Sequence, residues 1–129
     1  MDVIYNKKNV DGKDVVQLEM AMGSAISNFK KSICINVPRN RFFPIKKCSD
    51  ILLLMSNLVT INNGIIECSK DKLPLIDLDE RYYKNYNEFI LKFPNGIPNI
   101  KDLNSLKVRG NIVFKGNITL KDDVEIYNQ

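Results

Sequence analysis

The strongest constraint on how this chain folds is residues 37–58, where an extended run passes into a helix through a basic loop bracketed by prolines. Ile33, Ile35 and Val37 form a β-branched run, which predicts a strand over 33–37. Pro38 lacks an amide hydrogen and ends any ladder at that point. Arg39, Arg41, Lys46 and Lys47 occupy the loop that follows. Ser49 is the expected N-cap of a helix that carries Asp50 in its first turn and runs to about Leu58. A strand end, a basic loop and a helix start together form the arrangement in which α/β proteins gather anions.

Charge sharpens this expectation. From Met20 to Ser49 there is no acidic residue, while Lys30, Lys31, Arg39, Arg41, Lys46 and Lys47 all fall in that window. Such a field favours a polyphosphate or a nucleic acid; a solvated basic face is the alternative that charge counting leaves open. The chain has 129 residues, a net charge of +4 and no histidine. Imidazole general bases and the commonest metal ligand are therefore excluded. Cys34, Cys48 and Cys68 show no C-x-x-C spacing and read as reduced thiols of a cytoplasmic protein, not a disulfide frame or zinc site. No apolar run approaches the roughly 20 residues that span a bilayer, and no signal-peptide core is seen, so no membrane partner is expected. Without a secretion signal, the sequon at Asn117 carries no weight.

Taken in order, Val3-Ile4-Tyr5 predicts a short strand ended by Asn6, with a turn at Asn9-Val10-Asp11-Gly12. Opening on a core strand without a lead-in is expected of a fragment. Asp14 and Gln17 stand at capping-box spacing, which predicts a core helix with Val15, Leu18, Met22, Ala25 and Phe29 on one face. Residues 58–61 and 65–68 flank Asn62-Asn63-Gly64 and predict a β-hairpin. An extended piece over 73–78 leads to Asp79, the expected cap of a helix through about Lys92, with Tyr82, Tyr86, Phe89, Ile90 and Phe93 sharing its core face. Pro94, Gly96 and Pro98 mark the expected domain boundary, giving domains 1–98 and 99–129. Beyond it, apolar residues keep one parity from Leu106 to Ile126, and Gly110 and Gly116 stand six apart. Hexapeptide-type β-helix coils and an ordinary amphipathic meander both fit.

The stretch Val-Pro-Arg-Asn-Arg-Phe-Phe-Pro-Ile-Lys-Lys-Cys-Ser-Asp-Ile-Leu-Leu-Leu, with Gln-Leu-Glu-Met-Ala-Met-Gly-Ser-Ala-Ile before it, resembles the later part of eukaryotic UTP–glucose-1-phosphate uridylyltransferase (UDP-glucose pyrophosphorylase). That family carries stretches like QLETAxGxAI and VPRxRFLPVKxxSDLLL, and the likeness runs from about residue 1 to 128. The terminal VxGxIxFxxNxxLK-like segment is included. The chain departs from the pattern at Met20, usually Thr, and at Lys47-Cys48, often two hydroxyl residues. The resemblance implies an α/β fold: the end of a nucleotidyltransferase-type domain, followed by the start of a left-handed β-helix. It implies UTP and glucose 1-phosphate as substrates, a magnesium cofactor and Lys46 as the catalytic cation. By resemblance Asn6 is a strand-end residue near the sugar, though Asn also satisfies turn amides. Phe42 would lie near sugar or nucleotide, with Phe43 in the core.

Two functions are weighed. In the first, the chain is part of a uridylyltransferase and carries half a site, because no Gly-rich phosphate loop and no metal-binding carboxylate pair is present. In the second, it is a small basic module that grips a phosphorylated partner or RNA. No RNA-binding signature appears, so nucleic acid is the less expected partner. A structural role is a third possibility, with an incomplete β-helix docking or self-associating through its open edge.

Overall fold

A computed structural model describes residues 3–128 and divides the chain into two units, Met1–Asn36 and Val37–Gln129. The first holds an antiparallel hairpin of β1 (Val3–Val10) and β2 (Lys13–Met20), paired from Val3↔Met20 to Val10↔Lys13. The turn signal at residues 9–12 is borne out. Asp11 and Gly12 take φ of 52° and 77°, the backbone a two-residue hairpin turn needs.

The helix expected from Asp14 onward is therefore wrong. Val15, Leu18 and Met22 suit a helical period while Val16, Leu18 and Met20 suit that of a strand, and the Asp-Gly turn decides between them. The Asp14 carboxylate is no helix cap; its Oδ1 accepts from Asn9 Nδ2 at 2.8 Å. Only a 3-10 segment, Met22–Asn28, follows, fastened by the Ser24 hydroxyl donating to Ala21 O. The strand predicted over 33–37 also fails. Among the described residues no strand pairs with it, and Ile33 and Ile35 remain 83% and 80% exposed.

The second unit contains a core. Helix α1 (Cys48–Met55) leads to a hairpin of β3 (Val59–Asn62) and β4 (Ile65–Cys68), turning at Asn63-Gly64 as expected. Strand β5 (Leu75–Leu78) is followed by α2 (Glu80–Tyr83), α3 (Tyr86–Leu91), β6 (Asn99–Arg109) and β7 (Thr119–Tyr127). The order β5-β6-β7 is parallel throughout, so a meander is excluded. Leu52, Leu58, Tyr83, Phe89, Ile100, Leu103, Leu106 and Val108 are almost fully buried in one core. Register shifts between Asn99 and Ser105 move burial from Ile100 to Leu103 and then onto the Leu106–Val108 parity. The Pro-Gly stretch at 94–98 lies inside this unit, and the core takes residues from both sides of it.

Asp79 caps α2 as expected, its Oδ1 accepting from Arg81 N at 3.1 Å. The single helix expected through Lys92 is instead two, because Asn85 Oδ1 takes Asn87 N and starts α3 afresh. That reset puts Tyr83, not Tyr82 or Tyr86, into the core beside Phe89 and Phe93. Phe93 stacks on Phe114 with centroids 5.0 Å apart, and the Tyr83 hydroxyl donates to Ile112 O at 2.7 Å. Burial pushes the Tyr83 pKa up to about 12. At the end of β6, Gly110 takes φ of 91°. A Cβ there would stand 2.5 Å from Asn128 O.

Candidate functional site

The basic loop ends two residues earlier than expected: α1 starts at Cys48 with Lys47, in place of Ser49, as its N-cap, and Ser49 is already helical. No hydroxyl cap is needed, because the Asp50 carboxylate reaches back over the helix start. Its Oδ2 accepts from Lys46 N at 2.8 Å and from Lys47 N at 2.9 Å.

A cleft of about 530 Å³ opens beside this turn, lined by Lys46, Lys47, Ser49, Asp77, Glu80, Lys84 and Arg109 among others. Its charges are mostly neutralised in pairs. Lys47 Nζ donates to Glu80 Oε1 at 2.6 Å, and Arg109 Nη2 to Asp77 Oδ2 at 2.5 Å. The Lys47–Glu80 hydrogen bond raises the lysine's pKa and lowers the glutamate's. Arg109 likewise lowers Asp77. Asp79, buried at the cleft wall, accepts from the Arg81 guanidinium and from Gly110 N at 2.9 Å. Its carboxyl is held well below the usual range by Arg81 first and the Gly110 amide second. Lys46 and Lys84 have no ion-pair partner among the described residues. The cleft thus presents two adjacent lysines in different states, one ion-paired and one available to an anion.

Phe42 does not share this cleft. It lines a second one, of about 850 Å³, with Arg39, Asn40, Phe43, Pro44 and Asp50. Arg39 lies over its ring, 5.1 Å from the centroid, so one face already holds a cation. Asn6 belongs to the first unit. Strand β1 continues four residues past it, so it is a mid-strand residue opposite Gln17 and not a strand end. Its amide donates to Glu19 Oε1 at 3.4 Å. The acid-free window is likewise divided: Lys30 and Lys31 lie in the first unit, the other four cations in the second. Glu80, Asp77 and Arg109 were not found from the sequence. Their partners stand more than thirty residues away, and no local spacing signals them.

Cys48 is buried at the head of α1, its thiol donating to Lys84 O at 3.4 Å, and burial pushes its pKa up. Cys34 and Cys68 are exposed and free. Among the described residues no three His, Cys, Asp or Glu side chains converge as a metal site. Among the same described residues no helix is long and apolar enough to cross a membrane.

Residues 1–121 match the protein family described as UTP–glucose-1-phosphate uridylyltransferase. The enzyme of that name from Hordeum vulgare is 44% identical over 98% of this chain, which is 27% of its own length. UTP–glucose-1-phosphate uridylyltransferase 2 of Dictyostelium discoideum is 38% identical over 98% of this chain and 26% of its own. A point mutant of UDP-glucose pyrophosphorylase from Leishmania major, in complex with UDP-glucose, superposes with a TM-score of 0.67 at 34% identity. That match covers 97% of this chain and 28% of the other. The chain therefore spans little more than a quarter of the length of these relatives.

Proposed function

This chain belongs to the UTP–glucose-1-phosphate uridylyltransferase family, and we propose that it is the carboxyl-terminal part of an enzyme joining UTP and glucose 1-phosphate. A phosphate oxygen of the sugar phosphate attacks the α-phosphorus of UTP in line. The bond from that phosphorus to the β-bridging oxygen breaks, giving UDP-glucose and pyrophosphate. Little covalent chemistry falls to the protein in such a transfer, so positioning and charge neutralisation dominate. Lys46 is the residue we assign to this task, balancing negative charge on the phosphoryl oxygens. The observation that carries the assignment is the contrast at the cleft, where Glu80 holds Lys47 and Lys46 is unpaired.

Asn6 and Phe42 are proposed as substrate contacts, Phe42 through the ring face that Arg39 leaves open. Magnesium is the proposed cofactor. The described residues offer no cluster to hold it, so its ligands are assigned to the remainder of the enzyme and no step is routed through it here. Residues 1–98 are proposed as the end of the α/β catalytic domain and 99–129 as the first part of a left-handed β-helix. The parallel β5-β6-β7 order supports the latter reading. Self-association through residues 103–129 is proposed on the open edge of β7, and a cytoplasmic location on the free thiols. Sedimentation of the chain across a range of concentrations tests the first of these, and a monomer throughout would overturn it.

In the full-length enzyme, Lys46→Ala should lower kcat about 100- to 1000-fold, as loss of a transition-state donor does. Lys47→Ala should cost under about tenfold, since it removes only an exposed ion pair. Steady-state kinetics on both variants decide the matter, and equal small losses would reduce the loop to a solvated face. The chain alone should show no pyrophosphate release with UTP, glucose 1-phosphate and magnesium; sustained turnover would overturn the half-site reading.

A further inference from the structure

We infer that Asp50 is the positioning residue of Lys46, an inference that rests on the role given to Lys46 above. One carboxylate oxygen, Oδ2, accepts from two consecutive amides, Lys46 N at 2.8 Å and Lys47 N at 2.9 Å. Two donors on one acceptor fix the peptide between these residues relative to the first turn of α1. Lys47 has further ties, its carbonyl accepting from Asp50 N and its ammonium bonding Glu80. Among the described residues, Lys46 has the Asp50 oxygen as its sole hydrogen-bond partner. Lys46 therefore lines its cleft from a backbone that Asp50 aligns, and Asp50 itself lines the other cleft, with Phe42. Asp50 touches no reacting atom; it acts through Lys46.

A plain helix cap would also use this carboxylate, and the two roles differ in what they do to rate. A cap supports the helix whatever stands at position 46, whereas a positioning residue matters to kcat only while the lysine is present. The test is a kinetic cycle in the full-length enzyme with Lys46→Ala, Asp50→Ala and the double variant, alongside Asp50→Asn. Misplacing a catalytic group by about 1 Å costs up to about 100-fold, so Asp50→Ala should lower kcat about ten- to 100-fold with KM little changed. In the Lys46→Ala background the same substitution should change kcat less than about twofold, the two effects being non-additive. Asp50→Asn should recover most of the rate, because a single carbonyl oxygen can accept both amides. If Asp50→Ala does not fold, Asp50→Asn and Asp50→Ser complete the cycle, the shorter hydroxyl being expected to lose rate only when Lys46 is present. Equal losses in both backgrounds, or no recovery with Asn, would overturn the inference and leave Lys46 standing. A silent Lys46→Ala would remove the reading of Lys46, and this inference with it.

Discussion

The two hairpins of this chain share their turn chemistry and differ in everything beyond it. Asp11-Gly12 and Asn63-Gly64 both supply two consecutive residues with positive φ, and both hairpins pair without a register shift. The β1–β2 hairpin pairs eight residues on each strand, yet none of them is buried, and Tyr5 remains 71% exposed. The β3–β4 hairpin pairs only four, yet Val59 joins the core and Ile66 packs against it. A turn and its ladder thus set local shape, while burial depends on what lies against the face. An isolated two-stranded hairpin is marginal in water for that reason.

Core truncation should separate the two units most strongly. Phe89→Ala removes a ring packed against Phe93 and should destabilise the second unit by about 3–5 kcal/mol. Leu18→Ala on the exposed hairpin should cost less than about 0.5 kcal/mol. Urea unfolding of both variants provides the comparison, and a comparable loss at Leu18 would break it. Gly110→Ala comes next. Its positive φ and the nearby Asn128 carbonyl predict a loss of about 1–3 kcal/mol, whereas alanine at Gly12 meets no neighbouring atom and pays for the backbone strain alone. Thermal midpoints of the two alanine variants, Gly110 the lower, would sharpen the difference.

The last difference is read in acid and concerns Asp79. Its folded pKa lies below the ordinary 3.8. The stability it contributes is therefore complete above that value and lost as pH falls through it toward the lower folded value. Thermal midpoints measured from pH 5 downward should fall less steeply in Asp79→Asn than in the parent. Parallel slopes would remove Asp79 from the acid response. Asp77 and Glu80 are shifted in the same direction, but they face solvent and contribute less.

Much of the second unit was legible in the sequence because its signals are local. Asn63-Gly64, the Asp79 cap and the single parity from Leu106 onward each lie within a few residues of what they specify. The first unit misled because Val15, Leu18 and Met22 satisfy a helical period while Val16, Leu18 and Met20 satisfy that of a strand. The turn signal at Asn9-Val10-Asp11-Gly12 and the family likeness place a strand end at Asn6, but β1 runs on to Val10, directly into that turn. At the site, the basic loop and Lys46 were visible from residue types and family likeness. The difference between Lys46 and Lys47 was not, since Glu80 stands 33 residues from its partner. The Asn85 cap that turned one helix into two was equally hidden, an asparagine within an otherwise helical pattern.

The buried thiol at the head of α1 gives the cleft its own stopwatch. Cys34 and Cys68 stand open to an alkylating reagent, while Cys48 is enclosed and bonded to the Lys84 carbonyl. A pulse of reagent followed by intact-mass measurement therefore counts two fast adducts and one slow one. The slow adduct forms only when α1 and the end of α2 part. In a chain without tryptophan, where indole emission reports nothing, that third mass increment times the opening of the wall beside Lys46 directly.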